Sequence, residues 1–231
     1  MINAAKVARR ASDDPRLAEH AVHTIGPLKS SLDSLKRTLT TESLEHSTIL
    51  AYLYNAEVNI YELSLLQNPP SYQYPSDFKR IEYLTSCLQS CKAGISYYLE
   101  SDTDMAYIPG PCMLIFAYSI KIVYKLGTLH HDSGWDASAV RETVDTVSAL
   151  EQAAAVAERS NTRIKEETGE DSILATAAAT LRSTAPNWRI PEQDMAVDGA
   201  TVMADWSGGV GLDPSIIDFS DNIWFSGSFD F

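Results

Sequence analysis

Residues 81–98 read IEYLTSCLQSCKAGISYY, and within them Ile81, Leu84, Leu88, Cys91, Ile95 and Tyr98 recur in steps of three and four. That spacing gathers all six on one side of a 3.6-residue helix and does not fit the two-residue period of a half-buried strand. The breaker run Asn68, Pro69, Pro70 and Ser71 precedes the stripe, with Ser76 and Asp77 as candidate N-caps. Ser101, Asp102, Thr103 and Asp104, which favour turns, follow it near Leu99. The expected element is one long amphipathic helix.

The same period recurs on both sides. Residues 42–67 read as a long helix with a broad apolar face of Ile49, Leu50, Leu53, Tyr54, Val58, Ile60, Tyr61 and Leu65. After Pro109, Gly110 and Pro111, the set Met113, Phe116, Ile120 and Val123 predicts a third helix that stops at Gly127. Asp136 reads as the cap of a fourth, carrying Val140, Val144, Val147, Leu150, Ala154 and Ala157. Residues 171–182 predict a last one through Ile173, Leu174, Ala177, Ala178 and Leu181. Residues 15–39 are also helix-like, with Leu28, Leu32, Leu35 and Leu39 in register, and Gly26 with Pro27 should break them. The expected fold class is all-α, a stack of about six helices with no internal repeat. The expected organisation is an N-terminal helical segment over residues 1–40, a helical regulatory domain over 41–189, and an acidic-aromatic tail over 190–231, expected to be disordered.

The chain has 231 residues, is 45% hydrophobic and carries a net charge of −13. That length and apolar share can supply a core. Eight of the 31 acids, Glu192, Asp194, Asp198, Asp205, Asp213, Asp218, Asp221 and Asp230, lie beyond residue 189, where there is no Lys or Arg. With no basic stripe to neutralise phosphates, the chain is a poor ligand for a nucleic-acid backbone. Three cysteines make no disulfide framework and suit a reducing compartment. The start, MINAAKVARRASDD, has no apolar run to serve as a signal-peptide core. The most hydrophobic run, residues 112–124, is interrupted by Ser119 and Lys121 and is too short to span a bilayer. A soluble intracellular protein is expected.

No phosphate loop, dinucleotide fingerprint, zinc-protease pattern or nucleophile elbow is present, so no enzyme activity and no cofactor are expected. Cys87 and Cys91 lie one helical turn apart, yet Cys91 belongs to the apolar stripe and the further ligands a zinc ion needs are lacking. Both are read as buried structural cysteines, and no metal is expected. His130, His131 and Asp132 could start a proton relay, but no nucleophile motif accompanies them, and a polar interhelix loop accounts for them. Trp135, just before the Asp136 cap, reads as a packing anchor. Glu57 falls near the middle of the apolar face that Tyr54 and Tyr61 share, where a carboxylate needs a partner. It is either half of an interhelix ion pair, with Arg80 as one candidate partner, or a polar group lining an effector pocket with Tyr54 and Tyr61.

The tail interleaves aromatic residues with acids, with its densest cluster at Asp218, Phe219, Asp221, Ile223, Trp224 and Phe225. Mutually repelling charges keep such a chain open and leave the rings available to a partner's groove. Trp206, Phe219, Ile223, Trp224, Phe225 and Phe229 are the expected partner-binding residues.

Taken in order, Leu53, Tyr54, Tyr61, Glu62 and Leu63, then Arg80, Ile81, Glu82, Leu84, Cys87, Leu88 and Lys92, then Tyr107, Ile108 and Pro109, and finally Gly134, Trp135, Asp136 and Arg141 resemble the C-terminal regulatory region of fungal binuclear zinc-cluster transcription factors. The resemblance covers residues 41–157, and Gly134, Trp135 and Asp136 are its most telling part. It implies an all-helical regulatory domain, an acidic activation segment at the end, and a nuclear location. The six clustered cysteines of that family's DNA-binding head are not present in this sequence. The expected function is therefore a regulatory and activation module that meets the transcription machinery or co-activators through its tail, without direct nucleic-acid or membrane contact. A homodimer or a partner helical domain would cover Leu28, Leu32 and Leu35 if they face outward. The alternative is a helical small-ligand-binding or protein-interaction domain unrelated to transcription.

Overall fold

The computed structural model describes residues 15–65, 74–100, 110–129 and 134–191, and among them every regular element is a helix. Helix α1 spans Pro15–Thr38, α2 Thr41–Glu45, α3 Ser47–Tyr61, α4 Tyr74–Glu100, α5 Gly110–Gly127, α6 Ala137–Thr143, α7 Thr146–Thr168 and α8 Ile173–Thr184. Short 3-10 turns at Glu62–Leu65 and Ala185–Trp188 extend α3 and α8. The all-α expectation holds. The count exceeds six because local capping divides two of the expected helices.

The first division is at His46. Thr40 caps α2 by accepting from the Ser43 amide at 3.1 Å, and His46 turns extended before α3 begins. The second is at Val144 and Asp145. Asp136 caps α6 as expected, its carboxylate accepting from the Ser138 amide at 2.8 Å. Val144 then goes extended and Asp145 caps α7 through the Ser148 amide at 3.0 Å. An apolar period continues through such a break, so periodicity alone does not register it; the short oxygen-bearing side chains do. α7 then runs to Thr168, well past Ala157, and ends on Gly169 at φ 83°, a left-handed cap that glycine adopts without strain. α8 begins after Ser172, which accepts from the Leu174 amide at 3.2 Å. Helix α4 starts at Tyr74, so Ser76 and Asp77 lie in its first turn and do not cap it.

Gly26 and Pro27 do not break α1. Pro27 removes one amide from the helical ladder, which ordinarily costs about 3 kcal/mol. The helix continues because it is held on either side: Ile25 is fully buried ahead of the pair and Leu32 is buried beyond it. Leu28 packs partly against the same core, so of the leucines expected to need covering only Leu35 faces outward, at 52% exposure.

One continuous core joins α1, α3, α4, α5, α7 and α8. Its centre is the α4 stripe with Leu84, Cys87, Leu88, Cys91, Ile95 and Tyr98 buried, meeting Met113, Phe116, Ile120 and Val123 of α5; Tyr98 and Phe116 stack with ring centres 4.4 Å apart. The other half is a helical hairpin. Ala149, Leu150, Ala153, Ala154 and Ala157 of α7 are buried with Leu174, Ala177, Ala178 and Leu181 of α8, and the small side chains let the two backbones approach. Residues 185–191 strap this hairpin to α5 and α6. Trp188 meets Tyr124 edge-on at 5.6 Å, its carbonyl accepts from Thr146 Oγ1 at 2.5 Å, and Arg141 donates to the Pro191 carbonyl at 2.9 Å. Gly127 makes the closure fit: a Cβ there would lie 2.6 Å from Ile190 Cγ2. Trp135 anchors the entry to α6, donating from Nε1 to the Leu126 carbonyl at 2.9 Å.

Candidate functional site

Tyr54, Glu57 and Tyr61 recur at three and four residues along α3, so one face carries all three. Each meets α4, in antiparallel order. Tyr54 lies against Tyr97 with ring centres 5.9 Å apart, Ser90 Oγ donates to Glu57 Oε2 at 3.1 Å, and Tyr61 lies against Tyr83 at 6.2 Å. The structure thus brings the three candidate effector-pocket residues onto a single α3–α4 seam. Lys36 closes one end from α1, its ammonium on Glu57 Oε1. The pair is partly open to water, 33% of the lysine side chain and 23% of the glutamate side chain being exposed. Glu57 therefore ties three helices, through Lys36 and Ser90 and not through Arg80. Arg80, one turn before Leu84, donates from Nε to the Ser64 carbonyl at 2.7 Å and fixes the 3-10 turn instead. The Tyr61 hydroxyl is pushed up to about 12, first by burial and then by the negative charge of Glu57.

A second polar cluster, absent from the sequence reading, begins one residue beyond Tyr61. Glu62 accepts from the Tyr118 hydroxyl, and Lys121 and Lys125 of α5 act on it through charge. Burial raises the Glu62 carboxyl above its ordinary value against the opposing pull of Tyr118, Lys125 and Lys121. Burial lowers Lys125 and raises Tyr118. Tyr118, Lys121 and Lys125 follow the helical three-and-four step along α5, so the signal was in the sequence. It is masked there because two of the three interrupt or adjoin an otherwise apolar run.

Cys87 and Cys91 lie fully buried beside this cluster. The Cys87 thiol is pushed well up, by its hydrogen bond with Cys91 first and by burial second, so it stays protonated and inert. Among the described residues, no group of three or more His, Cys, Asp or Glu is placed to hold a metal ion, and no helix is long and apolar enough to cross a membrane. His130, His131 and Asp132, and the tail residues Trp206, Phe219, Ile223, Trp224, Phe225 and Phe229, lie outside the described residues.

Comparison with known proteins gives this geometry its context. The family model for the ATEG07667 C-terminal domain matches residues 104–230. The matched stretch opens just before α5, takes in α6, α7, α8 and the strap, and continues to the end of the acidic-aromatic segment. Transcription factor opdL of Penicillium oxalicum (strain 114-2 / CGMCC 5302) is 24% identical over 126 residues, which is 54% of this chain and 22% of that protein. The chain thus matches about a fifth of the length of this curated relative. No solved structure matches.

Proposed function

This chain belongs to the ATEG07667 C-terminal domain family, a C-terminal region of fungal transcription factors, and we propose that it serves as a regulatory and activating module that works in the nucleus through protein partners. The observation that carries the reading is the extent of the family match: helices α5 to α8 and the acidic-aromatic segment fall within one matched stretch. The helical body holds the start of that segment in place through Arg141, Gly127 and Trp188. Beyond Pro191 the chain carries eight acids and no base. Phe219, Ile223, Trp224 and Phe225 enter a hydrophobic groove rimmed by Lys or Arg on a co-activator or a component of the transcription machinery, in the manner of a helix laid in a groove. The acids speed and orient the encounter.

A regulator of this kind needs no catalytic group, and Glu57 acts as a structural tie, since both its oxygens are engaged within the fold. Fusion of residues 190–231 to a heterologous DNA-binding domain tests the activating role. Reporter transcription should rise well above the unfused control, and Trp224→Ala with Phe225→Ala should remove most of the gain. Output at the control level, or indifferent to those two substitutions, sinks the proposal.

A further inference from the structure

Among the described residues five Lys or Arg side chains are buried or half-buried: Lys36, Arg80, Lys121, Lys125 and Arg141. Three of them have partners in the fold. Lys36 holds Glu57, Arg80 donates to the Ser64 carbonyl and Arg141 to the Pro191 carbonyl. Lys121 and Lys125 of α5 have no hydrogen-bond acceptor and no carboxylate in contact among the described residues. Glu62 acts on both only at longer range, and its hydrogen bond is with Tyr118. Two ammonium groups thus share one carboxyl, which burial biases towards its neutral form. An ammonium taken from water with no anion beside it is costly, and burial accordingly lowers Lys125. The cluster is short of negative charge in a chain whose net charge is −13.

The strap brings acids to this place. Trp188 rests on Tyr124, one turn after Lys121, and Ile190 packs on Gly127, two residues after Lys125. The helical rise puts Lys125 about 3 Å and Lys121 about 9 Å from Gly127 along the α5 axis. Beyond Pro191, whose carbonyl Arg141 holds, come Glu192, Asp194 and Asp198 with no base among them. At about 3.6 Å per residue, Asp194 can reach about 11 Å from Pro191 and Asp198 about 25 Å. A helix with its side chains is about 10–12 Å across, so the way round α5 to both lysines falls within that range. We propose that Lys121 and Lys125 form a carboxylate site taken by Asp194 and Asp198 of the same chain, a charged clasp that continues the strap past Pro191. Ammonium–carboxylate contacts of this kind are charge-assisted hydrogen bonds. A short tether holds the carboxylates at a high effective concentration that falls as the tether lengthens, so the first acids past the strap take the site ahead of the distant Asp218 and Asp221. The inference concerns how the chain closes on itself and does not rest on the transcriptional reading.

The test treats the full chain with a water-soluble carbodiimide, which joins a carboxylate to an ammonium group in contact with it as an amide, the water lost passing to the carbodiimide. Peptide mass spectra should show Lys121 or Lys125 joined to Asp194 or Asp198. A link between Lys165 and Asp171, an ion pair at 2.8 Å, serves as the control. Lys121→Met with Lys125→Met should remove the clasp links. So should Asp194→Asn with Asp198→Asn, a pair that leaves every described residue unchanged, and the control link should persist in both. Raising the salt from about 0.1 M to about 1 M should cut the clasp links at least about threefold. In an equal mixture of isotope-labelled and unlabelled chains, both ends of each clasp link should carry the same label. A control link with none from the two lysines to Asp194 or Asp198 overturns the proposal. Links of mixed label overturn it too, giving the site to a second copy of the chain. Protection of the two lysines from acetylation by added citrate, in a chain that forms no clasp link, gives the site to a small free carboxylate and equally overturns it.

Discussion

Removing the charge at the junction of α1, α3 and α4 should cost the fold a measurable coupling between Lys36 and Glu57. The two charges are in contact, with 33% and 23% of their side chains exposed. Unit charges at about 4 Å interact by about 1 kcal/mol in water and about 4 kcal/mol at an effective dielectric of ~20. Ordering the lysine side chain takes back as much as about 2 kcal/mol, and fully exposed pairs retain only about 0.2–1 kcal/mol. A pair with this partial burial should therefore couple by about 1–1.5 kcal/mol. The clean perturbation is a double-mutant cycle of Lys36→Met and Glu57→Gln: methionine keeps the packing of the lysine stem, and glutamine can still accept from Ser90. Urea denaturation of the four proteins gives the coupling directly. In a chain of this size each kcal/mol should also appear as about 2–4 °C in Tm. Raising the salt from about 0.1 M to about 1 M shrinks the screening length from about 10 Å to about 3 Å and should lower the coupling by half or more. A coupling below about 0.3 kcal/mol, or one indifferent to salt, refutes the tie. If Glu57→Gln alone stabilises the protein, the carboxylate is held there at the fold's expense, and an effector at the α3–α4 seam becomes the better account.

The other expectations are more local. Glu62 has its carboxyl raised by burial, so the folded chain holds that proton to higher pH than the unfolded chain. Its contribution is fully present below the ordinary glutamate range and is lost as pH rises through the raised value, so Glu62→Gln should gain denaturation midpoint over the parent between pH 4 and pH 7.5; the opposite drift would contradict it. Gly169→Ala, at φ 83°, should cost about 1–2 kcal/mol by thermal denaturation, whereas Gly94→Ala, whose new Cβ would rest 3.5 Å from Tyr54 Cβ, should be neutral or stabilising by up to about 1 kcal/mol. Asp145→Ala removes the cap that starts α7 and should cost about 1 kcal/mol in the same assay. Cys87 and Cys91 should resist thiol-specific labelling in the native chain and react only on unfolding.

The helices were legible because their apolar period is strong: the α4 stripe, the Asp136 cap, the stop at Gly127 and the Trp135 anchor all lie where the residues place them. What periodicity hid were the breaks at His46 and Val144, because an apolar stripe can resume in phase after one or two extended residues. Asp145 was the available signal for the second, a short acid three residues before Ser148. The continuation of α1 through Gly26 and Pro27 was hidden for the opposite reason. A local penalty reads clearly from sequence, but the burial of Ile25 and Leu32 that offsets it is tertiary. Of the candidate site, the common face of Tyr54, Glu57 and Tyr61 was legible and its partner was not, since Lys36 lies on a helix whose docking no local pattern specifies. Glu62 with Tyr118 went unread because the three-and-four step of Tyr118, Lys121 and Lys125 is masked by the apolar run around it, and no local pattern links that face to a carboxylate 56 residues away.

The strap at residues 185–191 bears on how such a module can be built. If the acidic segment acts as proposed, by capture of partners, it would need no fixed origin, and a long free linker would give it the widest reach. Here the opposite holds up to Pro191. Trp188 and Ile190 are buried, Arg141 holds the last described carbonyl, and the glycine that admits Ile190 ends α5, the helix with which the family match begins in the described structure. The segment beyond therefore departs from a defined point on the hairpin formed by α7 and α8. Gly127→Val would drive a branched side chain into Ile190 and should loosen that origin while leaving the α3–α4 seam intact. Protease cleavage near Arg189 should quicken several-fold, with little change in the denaturation midpoint of the core. Equal cleavage in both proteins would mean that the strap is held by Trp188 and Arg141 alone.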